Sequence, residues 1–140
     1  MANDFDGKVA LVTGGGSGIG RSTCLIFARG GAKVVIVDRD VEGGEETAQL
    51  IKEAGGEAIL VHADVANPAD CQRMTDRAIE AYGRLDCAFN NAGVGGRSGK
   101  LTADYAEEDW DRVIGINLKG VWLCMRAEIT HMLRSVEHTS

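Results

Sequence analysis

The glycine-rich segment at residues 13–20 has residue types and a spacing that could bind a ligand. The segment reads TGGGSGIG and lies between a short apolar run and a helical pattern. Glycines at such a junction let the backbone turn sharply and approach a pyrophosphate, while free N–H groups at the helix start receive its charge. Gly14, Gly18 and Gly20 fit the spacing G-x-x-x-G-x-G. A strand–helix turn without a ligand is the alternative, which this position disfavours.

An acidic side chain, Asp38, lies about 20 residues beyond this loop, at the end of the second apolar run. A carboxylate there holds both ribose hydroxyls of an adenosine. It also repels a 2′-phosphate, by ~1 kcal/mol in water and ~4 kcal/mol at an effective dielectric near 20, so NAD is favoured over NADP. The neighbouring Arg39 tempers that preference, because a guanidinium binds phosphate. Capping of the next helix, the other role open to Asp38, suits Asp40 better.

Strands and helices alternate along the chain and must position these residues. Strands are predicted over Val9–Thr13, Lys33–Asp38, Ala58–His62 and Leu85–Asn90. Helices are predicted over Gly20–Arg29, Val41–Ala54, Pro68–Tyr82 and Glu107–Arg134. The strand segments are almost continuously apolar, which is typical of strands covered on both faces. Repeated strand–helix–strand units require right-handed crossovers and therefore a parallel sheet.

The predicted fold is α/β, a Rossmann-like doubly wound parallel sheet that is incomplete. A full sheet of this kind has strand order 3-2-1-4-5-6, and the four strands supply only 3-2-1-4. Residues 1–134 are expected to form a dinucleotide-binding half-domain, and residues 135–140 a polar tail that we expect to lack regular structure. We interpret the chain as the N-terminal half of a longer enzyme, or as the product of a truncated or misannotated gene.

The predicted last helix carries two apolar strips, so we expect it to be covered on two sides. The first strip includes Trp110, Val113, Ile114, Leu118, Val121 and Met125. The second includes Ile116, Gly120, Leu123 and Ala127. The missing strands would leave the second strip uncovered, at a loss of ~1.5–3 kcal/mol for each large side chain.

Composition excludes several classes of protein. The 140 residues include 15 Lys and Arg against 21 Asp and Glu, and this net charge of −6 argues against a nucleic-acid surface. No apolar stretch approaches the roughly 20 residues of a bilayer span. Residues 1–6 carry two acids and no apolar core, unlike a signal peptide. We therefore expect a cytoplasmic protein without a nucleic-acid or membrane partner.

The four cysteines, at positions 24, 71, 87 and 124, are widely spaced and form no Cys-x-x-Cys pair. Together with the three histidines they show no zinc-binding spacing, so no metal site is predicted. We expect reduced and mostly buried thiols.

With three further motifs, the pattern resembles the short-chain dehydrogenase/reductase family, in its compact single-domain branch. The motifs are Asp64-Val65 after the third strand, Asn90-Asn91-Ala92-Gly93 after the fourth, and Asn117 in the last helix. The resemblance spans about Lys8 to Leu133. It implies that the cofactor is bound by Gly14, Ser17, Gly18, Ile19, Gly20, Asp38, Arg39, Asp64, Val65, Asn91, Ala92 and Gly93.

Each motif also has a purely structural interpretation. Asn91-Ala92-Gly93 could be only a turn, and Asp64 could cap the following helix. Asn117 lies among apolar residues, where an unsatisfied amide would cost ~1–3 kcal/mol, so it needs a partner. In the family, the matching asparagine stabilises a helix distortion and a water held by the catalytic lysine.

The resemblance implies hydride exchange between a nicotinamide and an alcohol or ketone. In the family, a tyrosine is the general acid and base, a lysine lowers its pKa, and a serine positions the substrate oxygen. Of this Asn-Ser-Tyr-Lys set, the chain matches only Asn117. Tyr82 and Tyr105 are followed four residues later by Asp86 and Asp109, so neither begins a Tyr-x-x-x-Lys motif. An unassisted tyrosine, with a pKa near 10, is a poor base at neutral pH.

Three functions therefore stand as hypotheses. The leading one is an NAD(P)-dependent oxidoreductase of a small alcohol or ketone, with the activity belonging to the full-length parent and absent from these 140 residues alone. The second is a dinucleotide-binding module without catalysis. The third is an interaction remnant, since the helix at 107–134 forms subunit interfaces in relatives and predicts a homo-oligomer.

Overall fold

A single parallel sheet forms the centre of the computed structural model, which describes residues 3–137. Its strands are β1 (Val9–Thr13), β2 (Lys33–Asp38), β3 (Ala58–His62) and β4 (Cys87–Asn90). Their spatial order is β3-β2-β1-β4, as predicted, and every pair is parallel. Val12 is paired with Ile36 on one side and with Phe89 on the other, so all strands end at the same edge.

Strand β4 begins two residues later than predicted because of Asp86. Its carboxylate accepts the Val9 N–H at 2.9 Å, in the place where a strand carbonyl would otherwise pair. Arg84 donates two further hydrogen bonds to the same carboxylate, at 2.8 and 2.7 Å. Burial opposes the charged form, but these hydrogen bonds from Arg84 and Val9 lower the pKa of Asp86.

Three helices follow the first three strands. They are α1 (Gly18–Arg29), α2 (Val41–Glu53) and α3 (Pro68–Tyr82). Helix α3 has the predicted bounds, because the Asn67 side chain accepts from the N–H groups of Ala69 and Asp70, and Gly83 ends it with a φ of +78°. Helix α1 begins two residues before the predicted Gly20.

The predicted last helix is interrupted. Helix α4 (Glu107–Ile114) and helix α5 (Gly120–Glu137) are joined by one π-helical segment, Gly115–Lys119, and a short 3₁₀ turn at Thr102–Asp104 precedes them. Such π segments inside α-helices are frequent at functional sites. Helix α5 continues into the predicted polar tail as far as Glu137. Residues 138–140 lie outside the described residues.

The sheet is buried between two helical layers. Val9, Leu11 and Val35 contact the layer that contains α3 and α5, whereas Val12 and Ile36 contact the layer that contains α1 and α2. Side chains pointing to both faces of β1 and β2 are fully buried, which explains their unbroken apolar sequence. No helix within residues 3–137 is long and apolar enough to cross a bilayer.

One of the two predicted apolar strips is uncovered, but not the expected one. Ile116, Leu123 and Ala127 are buried, because α5 packs on α3. In the first strip, Trp110, Leu118 and Met125 are 59%, 66% and 43% exposed. The prediction that the strip of Ile116 and Leu123 loses its cover was wrong, since strand β4 and helix α3 already provide that cover.

The cysteines are free thiols, and three of them are buried while Cys87 is half-buried. Burial raises the pKa of the Cys24 thiol to about 12. The Sγ atoms of Cys71 and Cys124 lie 3.7 Å apart between α3 and α5.

Candidate functional site

A cleft of about 670 Å³ opens at the edge where the four strands end. Its volume is in the range of small-molecule sites, and this edge is where open α/β sheets bind ligands. All the residues predicted to bind a cofactor line it except Gly20. The lining comprises Gly14, Ser17, Gly18, Ile19, Val37, Asp38, Arg39, Asp40, Ala63, Asp64, Val65, Asn91, Ala92, Gly93, Val94 and Ile116.

Gly20 lies behind the cleft, in the first turn of α1. A Cβ there would run into the carbonyl of Gly14 and would come within 2.8 Å of the Asn91 side-chain nitrogen. Glycine at this position therefore allows α1 to start directly against the loop. Gly14 adopts a φ of +67°, a conformation that residues with side chains rarely adopt.

The N-terminus of α1 faces the cleft through Ser17 and Gly18. The Ser17 side chain makes no capping hydrogen bond, and the first turn of the helix contains no acidic residue, among the residues described. The first N–H groups of a helix lack partners inside the helix, and its dipole favours negative charge there. The loop thus presents free donors to an anion such as a pyrophosphate.

Asp38 lies against the loop, and its two carboxylate oxygens accept separate backbone N–H groups. The Gly16 N–H donates to Oδ2 at 2.8 Å, and the Asp40 N–H donates to Oδ1 at 2.9 Å. A Cβ on Gly16 would lie 2.8 Å from Oδ2, so this approach requires glycine. An ionised carboxylate has about four acceptor sites, and two are still available for ribose hydroxyls.

The prediction that Asp40 caps α2 is confirmed for the position of the residue but, within residues 3–137, not for a hydrogen bond from its side chain. Asp40 is the N-cap residue, but its side chain makes no capping hydrogen bond among the described residues. Asp38 instead accepts the Asp40 N–H, and so it is more constrained than a free carboxylate would be.

Asp64 and Arg39 meet at the adjacent corner of the cleft, where Arg39 Nε lies 4.0 Å from Asp64 Oδ2. Asp64 does not cap α3, since that position belongs to Asn67. The Asp64 carboxylate accepts the Ala66 N–H at 2.9 Å, and the backbone N–H of Asp64 donates to the Asp70 carboxylate. That backbone hydrogen bond is the main reason that the pKa of Asp70 is lowered.

The Asn91-Ala92-Gly93 segment is more than a turn, because it connects the ends of β4 and β1. The Asn91 side-chain amide donates to the Thr13 carbonyl at 3.2 Å and to the Gly14 carbonyl at 3.4 Å. The Ala92 N–H donates to the Thr13 hydroxyl at 3.0 Å. These bonds hold the floor of the cleft against the glycine loop.

Asn117 has the partner that its position requires. In the π segment, its side chain accepts the Val94 N–H at 2.9 Å and donates to the Val94 carbonyl at 2.8 Å. Its side chain is exposed rather than enclosed by apolar neighbours, which the periodicity did not predict. Asn117 itself does not line the cleft among the described residues, but it holds Val94, which does.

Five residues that line the cleft are not among the predicted cofactor-binding residues. Val37, Asp40, Ala63 and Val94 lie within two positions of a predicted residue, so extending each motif by one or two residues finds them. Ile116 reaches the cleft only through the π segment, where Asn117 contacts Val94.

Neither tyrosine lines the cleft in the described part of the chain. Tyr82 lies at the opposite edge of the sheet, with the ammonium of Lys33, the first residue of β2, 5.3 Å from its ring centre. Burial raises the pKa of Tyr82 further. The Tyr105 hydroxyl accepts the Arg97 N–H at 3.1 Å, and the Arg97 side chain is paired with Asp109 at 3.3 Å.

Known proteins match nearly the whole chain. The family model "short chain dehydrogenase" matches residues 8–138. An uncharacterised oxidoreductase of Thermotoga maritima is 42% identical over 92% of this chain and 50% of its own length. A cyclohexanol dehydrogenase of Acinetobacter is 40% identical over 95% of this chain and 53% of its own length. The chain thus spans about half the length of the curated relatives it matches.

Solved structures of similar sequence have the same fold. A short-chain dehydrogenase/reductase from Burkholderia phymatum in complex with NAD has a TM-score of 0.90 and 40% identity, covering 94% of this chain and 46% of that one. A 3-ketoacyl-(acyl-carrier-protein) reductase from Brucella melitensis complexed with NADH has a TM-score of 0.84 and 42% identity. That match covers 91% of this chain and 50% of the reductase.

Proposed function

Because the chain belongs to the short-chain dehydrogenase family, we propose that its cleft binds NAD and that the whole protein transfers a hydride between the nicotinamide and a small alcohol or ketone. The observation that carries this proposal is the Asp38 carboxylate, which is held by the Gly16 N–H beside the open N-terminus of α1. A donor-rich loop next to an anchored carboxylate fits a pyrophosphate followed by a ribose.

Different residues of the cleft bind different parts of the nucleotide. The loop at Gly14–Gly20 binds the pyrophosphate, and Asp38 binds the adenosine ribose. The corner formed by Arg39 and Asp64-Val65 contacts the adenine. Asn91-Ala92-Gly93 and Val94 border the nicotinamide end, held in place by Asn117. When bound, the nicotinamide supplies the hydride acceptor or donor, and these side chains bind and orient it.

These 140 residues supply cofactor binding rather than complete catalysis. They contain no Tyr-x-x-x-Lys motif. Relatives named for cyclohexanol and glucose support an alcohol or ketone as the substrate of the whole protein. We therefore expect binding without turnover from the 140-residue chain, which makes the cofactor the right probe for the proposal.

The preference for NAD over NADP rests on charge. A 2′-phosphate would meet the Asp38 carboxylate, while the nearby cation, Arg39, is already at ion-pair distance from Asp64. At an effective dielectric near 20, two unit charges 4 Å apart repel by ~4 kcal/mol. NADH is therefore expected to bind much more tightly than NADPH.

Titration of NADH and NADPH, followed by nucleotide fluorescence, tests the proposal. Asp38→Asn keeps the size of the side chain but removes its charge, so NADH affinity should fall and NADPH affinity should rise. Asp104→Asn, on the 3₁₀ turn outside the cleft lining, is the matched control and should change neither affinity. An Asp38→Asn variant with unchanged preference would refute the assignment of the ribose to Asp38.

The exposed strip of α4 and α5 supports a second function, contact between subunits. Four large apolar side chains on these helices are exposed, as is Leu118 in the π segment between them; the four are Trp110, Trp122, Ile129 and Leu133. A group of exposed apolar side chains of this kind is typical of an interaction site. We propose a homo-oligomer through this strip, and Leu118→Arg should shift the mass measured by light scattering from oligomer to monomer. A wild-type monomer at micromolar concentration would contradict the proposal.

A further inference from the structure

Two polar side chains hold the glycine loop from behind, and neither of these described residues lines the cleft. Thr47, on α2, is fully buried, and its hydroxyl donates to the Gly15 carbonyl at 2.8 Å. Arg21, on α1, donates to the Gly16 carbonyl at 2.6 Å and to the Thr47 hydroxyl at 3.0 Å. Two consecutive carbonyls of the loop are thus fixed on one side by a joined pair of side chains.

This arrangement determines the direction of the N–H group in each of the two peptides. In a planar trans peptide, the C=O and the N–H lie in opposite directions. Because the Gly15 carbonyl points to Thr47, the Gly16 N–H points away from it, and it meets Asp38 Oδ2 at 2.8 Å. Because the Gly16 carbonyl points to Arg21, the Ser17 N–H points away from Arg21. Ser17 lines the cleft and directly precedes α1.

The loop could not hold these orientations through its own side chains. Gly14, Gly15 and Gly16 have none, and consecutive glycines have the greatest backbone freedom of any sequence. The first turn of α2 packs closely against the loop, since a Cβ on Gly43 would lie 2.8 Å from the Gly16 carbonyl oxygen. Close packing limits the space, but only the hydrogen bonds specify the peptide orientation.

We propose that Thr47 and Arg21 are positioning residues for the nucleotide, each acting through one peptide group. Thr47 fixes the Gly15–Gly16 peptide and through it the Asp38 carboxylate, which sets the choice between NADH and NADPH. Arg21 fixes the Gly16–Ser17 peptide and through it the N–H offered to the pyrophosphate, which both cofactors share. The inference rests on the proposed function, since it assumes that the cleft binds a dinucleotide.

Thr47→Val and Thr47→Ser form the first pair of variants. Valine has nearly the same shape but no hydroxyl, whereas serine keeps the hydroxyl. We expect Thr47→Val to raise the dissociation constant of NADH roughly tenfold and to reduce the NADH-to-NADPH preference, because Asp38 loses part of its support. Thr47→Ser should restore both values to those of the wild type.

Thr75→Val is the matched control for burial. Thr75 is as fully buried as Thr47, and its hydroxyl donates to the Gln72 carbonyl at 2.9 Å, within α3 on the other face of the sheet. The same chemical change there should alter thermal stability without altering cofactor affinity or preference. A loss of preference in Thr75→Val would mean that general destabilisation explains the Thr47 result.

Arg21→Met and Arg21→Lys form the second pair. We expect Arg21→Met to weaken NADH and NADPH by the same factor, roughly tenfold, and so to leave their ratio unchanged. Lysine keeps the charge but cannot donate in the same fork to the Gly16 carbonyl and Thr47, so Arg21→Lys should also bind weakly. Wild-type affinity in Arg21→Lys would overturn the role of Arg21 as a hydrogen-bond donor.

The possible failures are distinct. If the folded wild type binds neither nucleotide, the proposed function fails. If the wild type binds and Thr47→Val matches Thr47→Ser in affinity and preference, the inference about Thr47 is wrong. Should Thr47→Val fail to fold, as judged by circular dichroism, the Arg21 pair decides, because that side chain is partly exposed. Wild-type binding by Arg21→Met then refutes the inference.

Discussion

The loop side and the β4 side of the cleft differ in how completely their polar groups are paired. On the loop side, the carbonyls of Gly15 and Gly16 and the carboxylate of Asp38 all have partners. On the β4 side, Asn90 Oδ1 and Glu128 Oε2 are buried without a partner within residues 3–137. Buried polar atoms are nearly always paired in folded proteins. Among the described residues, the loop side therefore holds these carbonyls and this carboxylate in hydrogen bonds, whereas the β4 side has two buried oxygens without a partner.

The same contrast holds for the apolar surface. Strands β1 and β2 are covered on both faces, but Phe89 of β4 is 37% exposed, and α5 leaves one strip open. A closely packed side should be intolerant of added atoms, and a side with open space should tolerate them. Substitutions on the two sides should therefore differ in their effects on binding and stability.

Gly20→Ala should have the largest effect, because the new Cβ would overlap the Gly14 carbonyl. We expect nearly complete loss of NADH binding and a free energy of unfolding lower by ~1–3 kcal/mol, measured by urea denaturation. Gly115→Ala is the control, since a Cβ there meets nothing within 4 Å. Similar losses in both variants would contradict the difference between the two sides.

Asp86→Ala tests the connection between β4 and β1. The Val9 N–H would lose its acceptor, so the free energy of unfolding should fall by ~1–3 kcal/mol at neutral pH. Because the folded state lowers the pKa of Asp86, its contribution is present above the ordinary value of 3.8 and is lost as the pH falls through the lowered value. The variant and the wild type should therefore converge in stability at strongly acidic pH, and a gap that persists there would contradict this account.

Glu128→Gln tests the unpaired side directly. Burial raises the pKa of Glu128 above 4.5, so the folded state retains a proton that the unfolded state releases. Wild-type stability from this group therefore declines as the pH rises above 4.5. The glutamine variant should be more stable than the wild type at neutral pH by about 1 kcal/mol, with the difference vanishing near pH 4. A difference that does not depend on pH would refute the assignment.

Arg97→Ala should have the smallest effect. The side chain is 70% exposed and pairs with Asp109 on the surface, and such pairs contribute about 0–1 kcal/mol. We expect unchanged NADH affinity and a stability change below about 0.5 kcal/mol in urea denaturation. A large loss of stability would mean that the loop before α4 is as tightly determined as the glycine loop.

Sequence reasoning was most accurate where the signal was local. The bounds of β1, β2, β3 and α3 follow from apolar runs, a proline in a first helical turn and a terminal glycine, and the structure has them as predicted. The same reasoning placed eleven of the sixteen residues that line the cleft, because each of them follows the end of a strand by no more than six positions. The assignment of those residues to parts of a nucleotide stays a prediction.

Apolar periodicity failed where two distant segments had to meet. The break at Gly115–Lys119 separates α4 from α5, although the periodicity runs through it without interruption, and only the family resemblance implied a distortion at Asn117. In this segment the Asn117 side chain forms hydrogen bonds with both backbone groups of Val94, 23 residues earlier. The periodicity of apolar residues does not predict such a distant partner. The covered strip of α5 was likewise decided by the position of α3.

The order of strands and helices, the glycine spacing and the acid at the end of β2 were determined by the sequence itself, because each depends on neighbours within about one turn or one strand. Tertiary structure alone decided which groups hold those residues in place. Arg21 and Thr47 are 26 positions apart, and their common hold on the loop exists only because α1 and α2 pack side by side. Hydrogen bonds between distant segments depend on the packing of the whole layer, and no local pattern of residue types specifies them.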